Sequence, residues 1–263
     1  MKSNNVVVLL GRKGAGKDTY LESLKDDNLN HLKIAEPMKK VSKLIFGADS
    51  DEPEIKEIKC IIPMEVLLCE ATNGYISLFD LRPSNYDEVR NYILNKYEKF
   101  LSPTTSEFHI SPRDFLQIYG SEVCRSQDKF IFIKALIKKL LRFYNSDSNL
   151  SNTVHISDGR FANESEFLSQ YDSYKTQILF IFRYIKDGNK FETNKVIYDT
   201  HVSEELNNKL DKLGLQLMNE EITHEKLNEE ISLIFGNDIP VTFIAKEWTK
   251  TPNDDFSNIV FQR

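Results

Sequence analysis

The chain has 263 residues, 40% hydrophobic and 28% charged, enough apolar content for a sizeable core in one large domain or two small ones. Its formal net charge is -6, from 34 Lys and Arg against 40 Asp and Glu, with no long basic block. That argues against non-specific nucleic-acid binding, which needs a cationic face to displace counterions from phosphates, so an anionic ligand has to be held by a few local cations in a pocket.

Residues 1–15 lack the charged, apolar and small-residue sections of a signal peptide. Instead "VVVLL", Val6–Leu10, is a short apolar run bounded by glycine, which predicts a buried parallel strand. A glycine-rich turn follows, and a helix is expected from Lys17. "HLKIAEPMKKVSKLIFG" predicts a second strand, a break at Pro37 and an amphipathic helix with Val41, Leu44 and Ile45 inward. Pro53, Pro63, Pro83 and Pro103 punctuate the next stretch, where only "NYDEVRNYILNKYEKF" reads as helix. The expectation is one domain over residues 1–263 with an insertion at about 47–110.

"SPRDFLQIYGSEVCR" turns helical, with Ser111 as cap, Pro112 in the first position and Asp114 completing a capping-box-like pair. "KFIFIKALIKKLLRFY" sets Phe130, Ile133, Ile137, Leu140, Leu141 and Tyr144 on one helical stripe. After the turn-forming "NSDSNLSN", "TVHISD" and "QILFIFRY" read as strands with a short helix between them, and "PVTFIA" as a further strand. Strands alternating with helices predict a parallel, layered α/β sheet, whose ligands bind at the carboxyl ends of the strands. Cys60, Cys69 and Cys124 lack metal-ligand or paired spacing, and no apolar stretch approaches the ~20 residues of a membrane helix. A cytosolic protein with reduced thiols and no membrane partner is expected.

"GRKGAGKDT" carries the clearest chemistry. Gly11, Gly14, Ala15 and Gly16 let backbone N–H groups close around phosphate oxygens, and the following helix directs its positive end at the same anion. Lys17 adds a full charge able to reach a transferring phosphoryl group. The usual G-x-x-x-x-G-K-[ST] pattern has a hydroxyl next, where this chain has Asp18. A carboxylate is a good ligand for a hard cation such as Mg²⁺, directly or through water, and Thr19 keeps a hydroxyl near the loop.

"GKDT" followed in order by "SPRDFLQIYGSE", "ISDGRFANE" and "DTHVSEE" resembles the deoxynucleoside monophosphate kinases of tailed bacteriophages. The match spans about three quarters of the chain, strongly around the loop and residues 111–125 and 156–164, weakly over 47–107 and 206–263. In that family the G-K-D loop is normal. The resemblance implies a P-loop NTPase three-layer fold of the nucleoside monophosphate kinase kind, with inserted substrate-binding and lid segments. It also implies ATP and Mg²⁺, a deoxynucleoside 5′-monophosphate substrate, an often dimeric assembly and, for a phage protein, the host cytoplasm.

Carried over residue by residue, the resemblance makes Lys17, Asp18, Arg113 and Arg160 the catalytic candidates, with Asp18 at the metal. Arg113 corresponds to a monophosphate ligand, although a cation in the first turn of a helix opposes the dipole. Gln117, Gly120 and Ser121 resemble residues lining the nucleotide site, as do Met38 and Lys39. Asp114 stands where many relatives are basic. Asp158, Arg160 and Glu164 fall at a strand's ligand-binding edge, where an arginine can neutralise charge between donor and acceptor phosphates. His201 reads either as a site residue or as local structure, and Arg183 either as part of a lid over the donor phosphates or as one that snorkels from the core. Two other readings stay open: a P-loop kinase of another phosphorylated metabolite, and a nucleotide-binding switch without turnover.

Overall fold

The computed structural model describes residues 4–12, 14–24, 30–47, 53–145, 153–159, 162–171, 174–188, 190–192, 205–247 and 259–262. The chain forms two compact units, one from Met1–Lys33 with Leu140–Arg263 and one from Ile34–Lys139. The first begins with strand β1 (Asn5–Leu10), helix α1 (Lys17–Ser23) and strand β2 (Asn30–Leu32). The second holds α2 (Glu36–Phe46), α3 (Pro53–Lys56), β3 (Cys60–Pro63), α4 (Met64–Phe79), α5 (Tyr86–Tyr97) and β4 (Glu107–Ile110). It continues with α6 (Pro112–Gln117), which runs on as a π-helical segment, Ile118–Arg125. Helix α7 (Ile131–Tyr144) crosses the boundary back to the first unit. There follow β5 (Thr153–Ile156), α8 (Ala162–Ser169), β6 (Lys175–Asp187), β7 (Lys190–Glu192) and α9 (Glu205–Met218). Helix α10 (His224–Phe235), β8 (Val241–Glu247) and β9 (Ile259–Gln262) complete the order.

The first unit is built on a sheet of order β2-β5-β1-β6-β8-β9, with β7 beside β6. The first five strands are parallel; β9 runs antiparallel to β8 and β7 antiparallel to β6. Strand β1 is central, Val6 facing Val154 of β5 on one side and Thr176 of β6 on the other. This is why Val6–Leu10 is apolar at every position: both faces of a central parallel strand are covered. Leu21 of α1 packs with Val7, Leu9, Leu179, Ile181 and Ile244 on one face. On the other, the rings of Phe180, Phe182 and Phe243 pack with centroids 5.4–6.4 Å apart. Gly214 of α9 lies against Phe182 so closely that a Cβ there would come within 2.8 Å of the ring. The architecture is therefore mixed α/β, with helices on both faces of a mostly parallel sheet, as predicted. The chain leaves β1 toward β2 and leaves β6 toward β8, so the carboxyl ends of these two neighbours flank a topological switch point.

The second unit contains the 47–110 stretch and is built from helices around a two-stranded sheet, β3 antiparallel to β4. Its core is aromatic: Phe115 stacks on both Tyr97 and Tyr119, with Phe46 edge-on. The buried hydroxyls of Tyr97 and Tyr119 donate to the carbonyls of Phe115 and Ala71, each at 3.0 Å. The sixteen-residue α4 was not expected from the sequence. Its mid-helix Gly74 is explained by packing, since a Cβ there would come within 2.3 Å of Val41 Cγ2 and 2.9 Å of Tyr119 Oη. In α7 the buried set is Ile131, Phe132, Ile133, Leu136, Ile137 and Leu140; the predicted stripe omitted Ile131, Phe132 and Leu136, and its Phe130, Leu141 and Tyr144 are only half-buried.

Candidate functional site: the glycine-rich loop and its neighbours

The loop from Gly11 to Gly16 leaves the carboxyl end of β1 and enters α1, the strand–turn–helix setting that the sequence implied. Gly14 (φ 77°) and Gly16 (φ 96°) adopt left-handed backbone that favours glycine. At Gly11 (φ 143°) the close approach of a neighbouring strand also matters, because a Cβ would sit 2.2 Å from the Ile181 carbonyl oxygen. Ala15 is buried, and its N–H closes the turn on the Arg12 carbonyl at 3.1 Å. The Lys17 ammonium folds back over the loop, donating to the carbonyls of Gly11 (2.5 Å) and Arg12 (3.0 Å). Asp18 is exposed in the first turn of α1, where the helix dipole favours a carboxylate, and Thr19 is half-buried beside it.

Three side chains beyond the loop hold or flank it. Asn207 and Asp211 are buried on the face of α9 turned to the sheet. Asn207 Oδ1 accepts the Gly11 N–H at 3.1 Å, and Asp211 Oδ2 lies 2.5 Å from Arg12 Nε in a pair whose side chains are 5% and 10% exposed. Arg183, near the end of β6, brings its guanidinium to 3.3 Å from where a Gly16 Cβ would be. Sequence alone assigns no role to Asn207 or Asp211 and leaves Arg183 between a lid residue and one that snorkels. A signal existed for two of them: Asn207, Asp211 and Gly214 recur at helical spacing beside the leucines at 210, 213 and 217, so a polar and small stripe shares the buried face.

Of the remaining sequence candidates, Asp158 follows β5 in the same unit. The adjacent Gly159 packs on the end of β1, a Cβ there coming within 2.8 Å of Val8 Cγ1 and Leu10 Cδ2. Glu164 is buried on α8. Arg160 and His201 lie outside the described residues. Met38, Lys39, Arg113, Asp114, Gln117, Gly120 and Ser121 all belong to the second unit.

Within that unit, Ser111 caps α6 as its sequence suggested, accepting the Asp114 N–H at 3.1 Å and donating to Asp114 Oδ2 at 2.7 Å. This engagement gives Asp114 a structural task. Arg113, 32% exposed, pairs with Glu57 of the neighbouring chain segment at 2.7 Å. Met38 and Gly120 come together, a Gly120 Cβ position lying 3.0 Å from Met38 Sδ. Arg125 joins them: its Nη1 is 3.7 Å from that position and its guanidinium stands over the Phe132 ring, 4.9 Å from the centroid. The cluster rides on the π-helical segment, where the Ser126 N–H bonds five residues back to Ser121 at 3.1 Å. Such segments are rare and often functional. Gln117 and Ser121 are exposed on the same run, and Lys39 is half-buried on α2.

Among the described residues no group of three His, Cys, Asp or Glu side chains stands close enough to cage a metal. Asp18 contributes one exposed carboxylate at the start of α1, and a Mg²⁺ ion, which keeps several waters, needs only one or two protein carboxylates beside substrate phosphates. No described helix is long and apolar enough to cross a membrane. No family model matches the chain, and no curated protein matches it.

Proposed function

We propose that the chain is a P-loop kinase that transfers the γ-phosphoryl group of ATP to a deoxynucleoside 5′-monophosphate, giving ADP and the deoxynucleoside diphosphate. The observation that carries this reading is the Gly11–Lys17 loop at the carboxyl end of the central strand, with left-handed Gly14 and Gly16 and the Lys17 ammonium already over the loop. Such a loop offers backbone N–H donors and one mobile charge to a polyphosphate. Lys17 then exchanges two neutral carbonyl acceptors for ionised phosphate oxygens, the stronger class of hydrogen bond.

In the proposed reaction an oxygen of the acceptor 5′-phosphate bonds to the γ-phosphorus as the bond to the ADP oxygen breaks. That oxygen is already ionised near neutral pH, so no dedicated general base is needed. Lys17 spreads the charge that moves onto the leaving oxygen. Asp18 is the residue to hold Mg²⁺, which when bound neutralises phosphate charge. By the family resemblance, Arg113 holds the acceptor phosphate and Arg160 stabilises the transferring group. The Arg113–Glu57 pair is a half-exposed ion pair of small net worth, so a phosphate dianion can compete with Glu57 for the guanidinium.

The test is ADP release from ATP–Mg²⁺ in the presence of each deoxynucleoside and ribonucleoside monophosphate. Monophosphate-dependent turnover supports the proposal. Turnover with another phosphorylated metabolite alone would make it a kinase of a different class. Nucleotide binding without turnover would make it a switch.

A further inference from the structure

We infer that Tyr92 is a positioning residue of the acceptor site: its hydroxyl holds the Ile118–Arg125 segment in the π-helical register that sets Arg125 beside Gly120. The inference rests on the kinase reading above. In an α-helical register the carbonyls of Glu122 and Val123 would accept from the N–H groups of Ser126 and Gln127, four residues on. Here the Ser126 N–H bonds to Ser121 and the Gln127 N–H to Cys124, each at 3.1 Å. The π register therefore takes from those two carbonyls the amides an α-helix would give them. Side-chain hydroxyls stand in their place. Tyr92 Oη, reaching over from α5, lies 3.1 Å from the Glu122 carbonyl and 3.2 Å from that of Val123. Ser126 Oγ donates to the Glu122 carbonyl at 2.7 Å and lies 3.0 Å from Tyr92 Oη. Gln127 Nε2 completes the group by donating to Tyr92 Oη at 3.1 Å.

The phenol is itself held in place. Its ring leans on Tyr75, centroids 6.2 Å apart, and the Lys96 ammonium stands 5.5 Å from its centroid. At the front of the segment Tyr119 stacks on Phe115 and donates to the Ala71 carbonyl, so the segment is fixed at both ends. What the register does is visible in between. Residues five apart on an α-helix stand about 140° apart around its axis, whereas i→i+5 bonding brings them near one another. Arg125 Nη1 lies 3.7 Å from the position of a Gly120 Cβ, with Met38 Sδ 3.0 Å from the same point. The acceptor candidates Gln117, Gly120 and Ser121 lie on this run, so a slip into the α register would turn Arg125 away from them by about 100°, one residue's rotation. Tyr92 lies in the stretch where the resemblance to phage kinases is weak, so the register is set by a residue that the resemblance does not assign.

The experiment titrates each deoxynucleoside monophosphate, and separately ADP, into the wild type, Tyr92→Phe, Tyr92→4-aminophenylalanine and Ser126→Ala by calorimetry. The amino analogue keeps an N–H donor where the hydroxyl was. Tyr92→Phe is expected to weaken the monophosphate by about fivefold or more, the scale of one lost hydrogen bond, and to leave ADP unchanged. The amino analogue should recover most of that affinity, and Ser126→Ala should weaken the monophosphate selectively as well. Equal weakening of both ligands, or no recovery by the amino analogue, overturns the inference and makes Tyr92 a structural residue. Should Tyr92→Phe fail to fold, Ser126→Ala decides on the same selectivity. Wild-type protein that binds no monophosphate overturns the acceptor reading and this inference with it. Normal wild-type binding that Tyr92→Phe leaves intact overturns this inference alone.

Discussion

Replacing Asp211 by alanine tests whether α9 clamps the glycine-rich loop. Asp211 Oδ2 sits 2.5 Å from Arg12 Nε, with side chains 5% and 10% exposed, so solvent screens the pair poorly. Removing one partner of a buried ion pair costs about 3–5 kcal/mol, against 0–1 kcal/mol for a surface pair. For a protein of this size each kcal/mol moves the melting temperature by about 2–4 °C, so Asp211→Ala should lower it by about 6–20 °C. The second tie is weaker: Asn207→Ala withdraws the acceptor from the Gly11 N–H and should cost about 1–3 kcal/mol. Exchanging both charges for apolar groups of similar size, as in Arg12→Met with Asp211→Leu, should recover most of the loss, because neither buried charge is then left without the other. Thermal melts followed by circular dichroism, paired with urea titrations, read all four proteins. An Asp211→Ala loss below about 1 kcal/mol, with the double variant no better than the single, would refute the clamp.

Two further predictions concern the second unit. Gly74→Ala should destabilise by about 1–3 kcal/mol although alanine is the better helix former, because the added methyl meets Val41 Cγ2 and Tyr119 Oη. Trimming the neighbour with Val41→Ala in the same chain should restore most of that loss, and a Gly74→Ala protein more stable than the wild type would contradict the packing. Asp128 should make stability fall in acid: burial alone would raise its pKa, but the Lys134 ammonium at 2.6 Å and the Phe130 N–H at 2.9 Å hold it below its usual 3.8. A carboxyl depressed in the native state stabilises above its unfolded value and loses that contribution as pH falls through the native one. The stability gap between wild type and Asp128→Asn should thus be open at pH 6 and narrow below about pH 4; a gap independent of pH in urea titrations would contradict this.

The parts legible in the sequence are those whose signal is local. Val6–Leu10, the glycines of the loop, the Ser111–Asp114 cap and the amphipathic α5 and α7 each announce themselves within a few residues. Helix α4 does not. Leu67, Leu68, Ala71, Thr72 and Tyr75 are buried on a broad face, and Gly74 interrupts the pattern for a contact with α2 that only the fold creates. The hold on the loop is hidden for the same reason. Asn207 reaches a backbone N–H 196 residues earlier in the chain, so a polar helix residue that looks solvated is one of the most buried. Arg183 was visible as a strand-end arginine, yet whether it faced the core, a lid or the loop depended on strand register with β1.

The most direct test of the kinase account follows the label from ATP carrying ³²P at the γ position, mixed with excess protein, Mg²⁺ and a deoxynucleoside monophosphate. The account predicts that label appears in the deoxynucleoside diphosphate within a single turnover, and that Lys17→Met, which removes the charge over the loop without touching the core, abolishes the transfer. Label that stays in ATP, or appears only as inorganic phosphate, with every deoxynucleoside monophosphate tried would contradict it.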